Sequence, residues 1–451
     1  MYSVKTAAKS SSKTILIVLF IFCAASYNLW RGWMGSKHPF GSDVSSYYSY
    51  LDAAFMHNDL TFSFPNYHWL VKTNEGKFVP KMSMGLALVY LPGFMVCHTV
   101  NVLSGNTIDV YNDTYSYGMY YYAILVVFLG LFVLRKVLLK WYSEKVTAFV
   151  LLAVFAGTNL FYYTMSFNLM PHSFLFTLNV CLIALTIRLY EQQTILTIIG
   201  IGLLLGLITL IRPTGALVSV FVFLYGCHNW HDIKVRFLWW MNNWVSVAFI
   251  ALLILTVWSP QLFYWKMQSG AYFFYSYGEE GFNFLKPQLI NVFFSFRKGW
   301  LIYTPIMGLS LIGFYFLYKQ KSPFFISTLS LVLLAFYVLS CWWCWSWGGS
   351  FGIRAFIDYY PYLAFPLAAF FKQTIEHFKS NTIVALTSFL VAFNLLQTYQ
   401  YIAVVIHWDN MTKEAYWFSL GKLKYTEEER KYFNTLLEVH SDEVPEEYKN
   451  K

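Results

Sequence analysis

The sequence predicts an all-α polytopic membrane protein: a bundle of about eleven transmembrane helices with interfacial helices in its outer loops. Three observations predict it. The chain has 451 residues and is 57% hydrophobic. Only 12% is charged, whereas a soluble domain averages about 25%. Aromatics make up 21%, with 35 Tyr and 17 Trp, the residues that favour the two interfaces of a bilayer.

A helix crosses the hydrocarbon core with about 20 apolar residues. On that rule spans are read at residues 14–34, 117–139, 146–163, 171–190, 195–211 and 213–227. Further spans are read at 237–257, 300–317, 323–340, 355–371 and 382–406. Lys5, Lys9 and Lys13 place the N-terminus in the cytoplasm. The apolar run 15–25 is followed by Ser-Tyr-Asn-Leu-Trp-Arg with no small-x-small cleavage site, so a retained anchor is expected.

Basic residues then recur at alternate connections: Arg135, Lys136, Lys140 and Lys145; Arg188; Lys234 and Arg236; Lys319 and Lys321; Lys372 and Lys379. If the apolar stretch 84–100 also spanned, Arg135 and Lys136 would be forced outside. Residues 83–100 are therefore read as an interfacial or re-entrant helix of the first outer loop.

This divides the chain into a membrane domain, 1–407, and a polar outer-face tail, 408–451. The membrane domain carries a first outer loop at 35–116 and a second large one at 258–299, with a third outer element at 342–354. In the tail, Tyr425-Thr-Glu-Glu-Glu-Arg-Lys-Tyr-Phe predicts a short solvated helix with a Thr N-cap. There is no internal repeat, which counts against repeat-built transporter folds.

The formal charge of +9 follows largely from loop orientation, so no nucleic-acid partner is expected. The six cysteines give no disulfide framework. Cys341-Trp-Trp-Cys344 lacks a second pair or a βαβ context and reads as aromatic packing. No metal or other cofactor is implied by a compact ligand cluster.

Four clusters could carry chemistry. Asp43 follows the first span in Gly41-Ser42-Asp43-Val44-Ser45-Ser46-Tyr47-Tyr48, at the boundary where a water-soluble hydroxyl meets a lipid-borne phosphate. Asp52 and Asp59 follow it, and the spacings place 43 and 52, or 52 and 59, roughly on one helical face. In Lys77-Phe-Val-Pro-Lys81-Met-Ser-Met-Gly85, Lys81 can reach a phosphate at a helix start. Tyr275-Ser-Tyr277-Gly-Glu279-Glu280 leads toward Arg297 and Lys298. Trp345-Ser-Trp347-Gly-Gly-Ser-Phe-Gly-Ile-Arg354 ends on a guanidinium able to grip a phosphate, with Asp358 four residues on. That i, i+4 spacing equally allows a structural Arg354–Asp358 pair. His172 opens a span after Pro171, and Arg212-Pro213 breaks an apolar stretch, as a turn anchor or as a buried cation facing a substrate cavity.

Together these segments resemble the GT-C superfamily of polytopic glycosyltransferases, which use polyprenyl-phosphate-linked sugars. The resemblance runs from the first span to about residue 361. It rests on Asp43 in the first outer loop, on residues 78–91, and on Gly157-Thr-Asn-Leu-Phe-Tyr-Tyr, Met170-Pro-His172-Ser and Leu210-Ile-Arg-Pro-Thr-Gly. It also rests on Phe294-Ser-Phe-Arg-Lys-Gly-Trp-Leu-Ile-Tyr-Thr-Pro and Trp347-Gly-Gly-Ser-Phe-Gly-Ile-Arg. Many members carry an adjacent acid pair where Val44 follows Asp43 here, which leaves Asp52, Glu279 and Glu280 as candidates for a second acid.

The resemblance implies Asp43 as general base toward an acceptor hydroxyl. It implies Lys81, Arg212, Arg297, Lys298 and Arg354 as ligands of the donor phosphate, and direct displacement with inversion. His172, Tyr277, Trp347 and Asp358 would line the substrate pocket. The implied partners are a lipid-linked sugar donor, membrane lipids, and a glycan, lipid or protein acceptor of the cell envelope. The implied setting is a bacterial inner membrane with the site on its outer face. The rival reading is a transporter or flippase of a lipid-linked glycan, which requires paired intramembrane charges at midplane depth and broken helices.

Overall fold

In the computed structural model the described residues are 11–26, 40–64, 69–106, 109, 112–377 and 380–437. Lys5, Lys9, Lys379 and the tail beyond 437 lie outside them. The fold is mostly helical. Five helices are long and apolar enough to cross a membrane: Gly85–Leu103, Asp113–Leu138, Pro171–Glu191, Trp244–Ser269 and Asn381–Ile402. Shorter apolar helices, among them Ser11–Ala25, Ile195–Ile211 and Phe325–Ser340, pack with them. Helix length thus matches the eleven expected spans only in part.

Several expected spans are interrupted, among them 146–163, between Glu144–Ala156 and Leu160–Met165, and 300–317, at Thr304. Two others differ further. The stretch 213–227 opens as the 3-10 helix Pro213–Val218 and continues as Ser219–Leu224. Together they cover roughly 20 Å, short of a hydrocarbon core of about 30 Å. The expected span 237–257 is divided at Asn243. Trp230–Asn242 is a separate helix with no buried residue, because Asp232, Lys234 and Arg236 make it amphipathic, and the long helix begins only at Trp244.

The short connections make the bundle a serpentine with two distinct ends. Lys140 and Glu191 pair at 2.9 Å, which brings the 139–143 and 192–194 turns to one end, here called the basic end. Arg135 and Glu144 pair there and bond Ser12. The starts of Asp113–Leu138 and Pro171–Glu191 and the finish of Ile195–Ile211 lie at the other.

The Gly85–Leu103 helix meets that second end twice. At its start, a Cβ on Gly85 would lie 2.5 Å from the Ile211 backbone nitrogen. Toward its finish, Asn112 Nδ2 donates to Asn101 Oδ1 at 3.0 Å. Between these points it packs beside the first part of Asp113–Leu138, where Tyr122 Oη donates to Val89 O at 2.7 Å, and its length and composition would allow it to span.

Outer elements fold over the same end. The Leu70–Lys72 and Phe78–Pro80 strands form an antiparallel hairpin in which Val71 pairs with Val79. An antiparallel bridge joins Phe282 to Trp342, tying the second outer loop to the third. Residues 408–437 pack back on the bundle, with Gln397 Nε2 donating to Tyr416 Oη at 2.7 Å. Thr426 caps the Glu427–Leu437 helix reciprocally with Glu429, at 3.2 and 2.9 Å.

Candidate active site

Asp43 is the first residue of the helix Asp43–Phe55, and the preceding Ser42 has φ +56°. That helix is fixed by Met82 N–H donating to Ser46 Oγ and by Tyr50 Oη donating to Met82 O, each at 3.0 Å. Arg354 Nη2 donates to Asp43 Oδ2 at 2.9 Å, joining residues far apart in sequence. Asp43 Oδ1 has no hydrogen-bond partner among the described residues. Tyr47, one helical turn on, is 2% exposed, and the charges of Asp43, Arg212 and Arg354 all act on it. Burial pushes its phenol above the ordinary range.

A second assembly stands beside the first. His172 is fully buried as the second residue of the Pro171–Glu191 helix. Its Nδ1 lies 2.9 Å from Asp358 Oδ1 and its Nε2 lies 2.9 Å from Arg212 Nη1. A guanidinium can only donate. Nε2 therefore accepts, and the imidazole proton sits on Nδ1, donated to the Asp358 carboxylate. His172 is thus a neutral bridge that fixes Arg212 through Asp358.

The Arg354–Asp358 pair that i, i+4 spacing suggested does not form. Arg354–Tyr359 is a 3-10 helix, and at about three residues per turn positions four apart point in different directions. Each charge instead finds a partner across the fold.

Arg212 sits 5.0 Å from the Trp347 ring centroid. Both line a cavity of about 100 Å³ together with Thr214, Tyr277, Phe282 and Trp342. Trp347 and Gly348 are consecutive left-handed residues, φ +61° and +64°, a conformation that costs a non-glycine residue about 1–3 kcal/mol. Trp347 stacks on Trp342 at 5.9 Å. Its Nε1 and the Arg354 Nε are buried without hydrogen-bond partners. Both are donors only, so the site is short of acceptor oxygens.

The remaining candidates lie outside this centre or are already paired. Lys81 contacts Glu280 at 2.6 Å and lies 5.4 Å from both the Trp69 and Tyr277 rings. Glu280 is thereby occupied, and Glu279 is exposed. Asp52 does not share a face with Asp43. Nine residues at 100° each turn a helix through about 180° and advance it about 14 Å. Asp52 instead lies 3.7 Å from His57, and burial pushes its carboxyl up to about 6. The helix ends at Phe55, so Asp59 is on no common helical face with either acid.

Arg297 and Lys298 face the chain's later residues. Arg297 bonds Asp409 O at 3.2 Å and the Asp409 and Asn410 side chains at 3.4 and 3.3 Å. Lys298 is 1% exposed and donates to Ser350 O and Trp408 O. Burial pulls its ammonium down to about 7. All six cysteines are unpaired. Among the described residues no three His, Cys, Asp or Glu side chains converge as metal ligands would.

Sequence reasoning assigned no role to Asn159. Its Nδ2 donates to Phe351 O at 3.0 Å and its Oδ1 accepts from Tyr360 at 2.8 Å. It therefore holds the Gly348–Gly352 loop over the site. The signal was its place in Gly157-Thr-Asn, a polar interruption of an apolar run. Tyr47 was visible only as part of the Asp43 motif.

No protein-family model matches the sequence, and no curated protein matches it. Its structure is similar to that of the archaeal oligosaccharyltransferase AglB from Archaeoglobus fulgidus, in a complex with an inhibitory peptide and a dolichol-phosphate. The TM-score is 0.50 at 12% identity, covering 94% of this chain and 59% of that one. The apo form of the Archaeoglobus fulgidus oligosaccharyltransferase aligns with TM-score 0.48 at 13% identity, covering 95% and 60%. The chain thus spans about 59% of the length of the archaeal protein. The GT-C fold expected from the sequence is the fold it has.

Proposed function

We propose that this chain is a membrane glycosyltransferase that moves a sugar from a polyprenyl-phosphate donor to an acceptor hydroxyl. The observation that carries the reading is the convergence, at one end of the bundle, of Asp43–Arg354 with the Arg212–His172–Asp358 relay. A carboxylate with one free oxygen sits there beside two guanidiniums and an aromatic cavity. The archaeal protein of similar fold holds a dolichol-phosphate, and a lipid phosphate would supply the acceptor oxygens that Trp347 Nε1 and Arg354 Nε lack.

The acceptor oxygen attacks the anomeric carbon as Asp43 Oδ1 takes its proton. The bond from that carbon to the phosphate oxygen breaks, and its electron pair leaves with the lipid phosphate. Arg212 and Arg354 stabilise the charge that develops. A single displacement inverts the anomeric centre. With the basic end toward the cytoplasm, the site faces outward, as in a bacterial inner membrane with a cell-envelope acceptor. No resident metal or other cofactor is assigned to the step.

The buried charges and the break at Arg212-Pro213 are also what a flippase of a lipid-linked glycan would carry. They lie at helix ends on one side of the bundle, however, level with the outer loops. The deciding experiment is transfer by wild-type and Asp43→Asn protein across a panel of polyprenyl-phosphate sugars, beside a lipid-translocation assay. A loss of transfer of about 10²–10⁴-fold in the variant is expected. Equal transfer by both proteins would remove Asp43 as the base, and translocation without transfer would select the flippase.

A further inference from the structure

The basic end carries a pair of cavities that the proposed reaction does not use. One is polar, about 510 Å³, and its lining includes Tyr190, Cys227, His231 and Arg236. The other is apolar, about 560 Å³, and lies between Ile201, Leu205, Val222, Phe223 and Val247. A wall of adjacent aromatics divides them. Trp239 faces the first and Trp240 the second, with ring centroids 4.9 Å apart.

Arg236 is the unusual group. It is half-buried, its guanidinium lies 3.6 Å from the Tyr190 ring centroid, and it forms no ion pair among the described residues. Its Nη1 is buried without a hydrogen-bond partner. Asp232, one turn earlier, accepts the backbone N–H of His228 at 2.8 Å on Oδ2 and forms no ion pair with Arg236. A half-buried cation with a buried unsatisfied N–H and no ion pair among the described residues suits an anion, and an arginine suits a phosphate oxygen pair. Tyr190 cannot swing away freely, because its hydroxyl donates to Val222 O at 2.9 Å. The helix bearing Arg236, Trp230–Asn242, buries no residue and exposes Trp230, Phe237, Leu238 and Met241, as a helix lying in a headgroup layer does.

We propose that this end binds one anionic phospholipid, its phosphodiester on Arg236 and an acyl chain in the groove beneath Trp240. The apolar groove beside the cation selects a lipid over a free phosphate ion. Lys234 adds positive charge on the exposed side.

The test uses the purified full chain in detergent with equal phosphatidylglycerol and phosphatidylcholine, read by native mass spectrometry, with inorganic phosphate as competitor. Wild type is expected to retain one anionic lipid with a preference of about fivefold. Arg236→Gln should abolish the preference and Arg236→Lys should keep most of it. Val247→Trp, which fills the groove without touching charge, should lower lipid retention on its own and serves if Arg236→Gln does not fold. Equal preference in wild type and Arg236→Gln, unchanged retention in Val247→Trp, or full displacement by inorganic phosphate would each overturn the proposal.

Discussion

Arg212 and Arg354, compared with Arg297 and Lys298, show how burial alone misleads about chemistry. The four cations look equivalent in the sequence. Arg212 and Arg354 are held by side chains, His172 and Asp43, and lie where donors remain unsatisfied. Lys298 is spent on two backbone carbonyls, and Arg297 is spread over Asp409 and Asn410. A cation that stands among unsatisfied donors can still meet a substrate's acceptors. One whose donors are already taken, by backbone carbonyls as in Lys298 or by Asp409 and Asn410 as in Arg297, is part of the scaffold.

The comparison breaks or sharpens in measurable steps. Arg212→Gln should lower transfer by about 10²–10³-fold with the fold intact, and an equal loss in Arg297→Gln would erase the distinction. Lys298→Met should cost about 1–3 kcal/mol of stability, because two buried carbonyls lose their donor. The transfer rate of the molecules that remain folded should barely change, and thermal unfolding beside turnover reads both. Arg297→Gln should cost about 1 kcal/mol or less.

Two pH windows refine this further, each with its own sign. The Lys298 ammonium falls from the usual 10.5 to about 7 in the fold. The unfolded chain therefore binds the extra proton between those values, and stability rises with pH across that window. Lys298→Met should flatten the slope. Asp52 behaves oppositely. Its folded value is about 6 against 3.8, so the folded state binds the proton and stability falls as pH rises from 4 to 6. Asp52→Asn should remove that fall in a detergent-solubilised melting series.

Much of the fold was legible because it depends on local pattern. Apolar length placed the principal helices, alternating basic loops separated the two ends, and Thr426 announced a capped helix. The reading of 83–100 as interfacial or re-entrant came from charge bookkeeping over neighbouring loops, not from the helix itself, whose length and composition would equally allow a span. The site was legible in its members but not in its pairings. His172 and Asp358 meet from 186 residues apart, and no local spacing encodes that. The Arg354–Asp358 pair that the spacing allowed does not form, because a 3-10 turn stands where an α-helix was assumed. The shared face of Asp43 and Asp52 failed on helical arithmetic.

The Lys298 contact with Trp408 O also orders events in time. The loop over the site, Gly348–Gly352, receives part of its support through Lys298 from residues translated well after it. A nascent chain inserted only as far as its last long helix holds Asp43, Arg212 and Arg354, yet the loop above them is unbraced. Under the proposed function, competence would then be a late step of biogenesis, reached when the segment after residue 407 has folded back, and a chain stalled before that point would be an inserted but idle precursor.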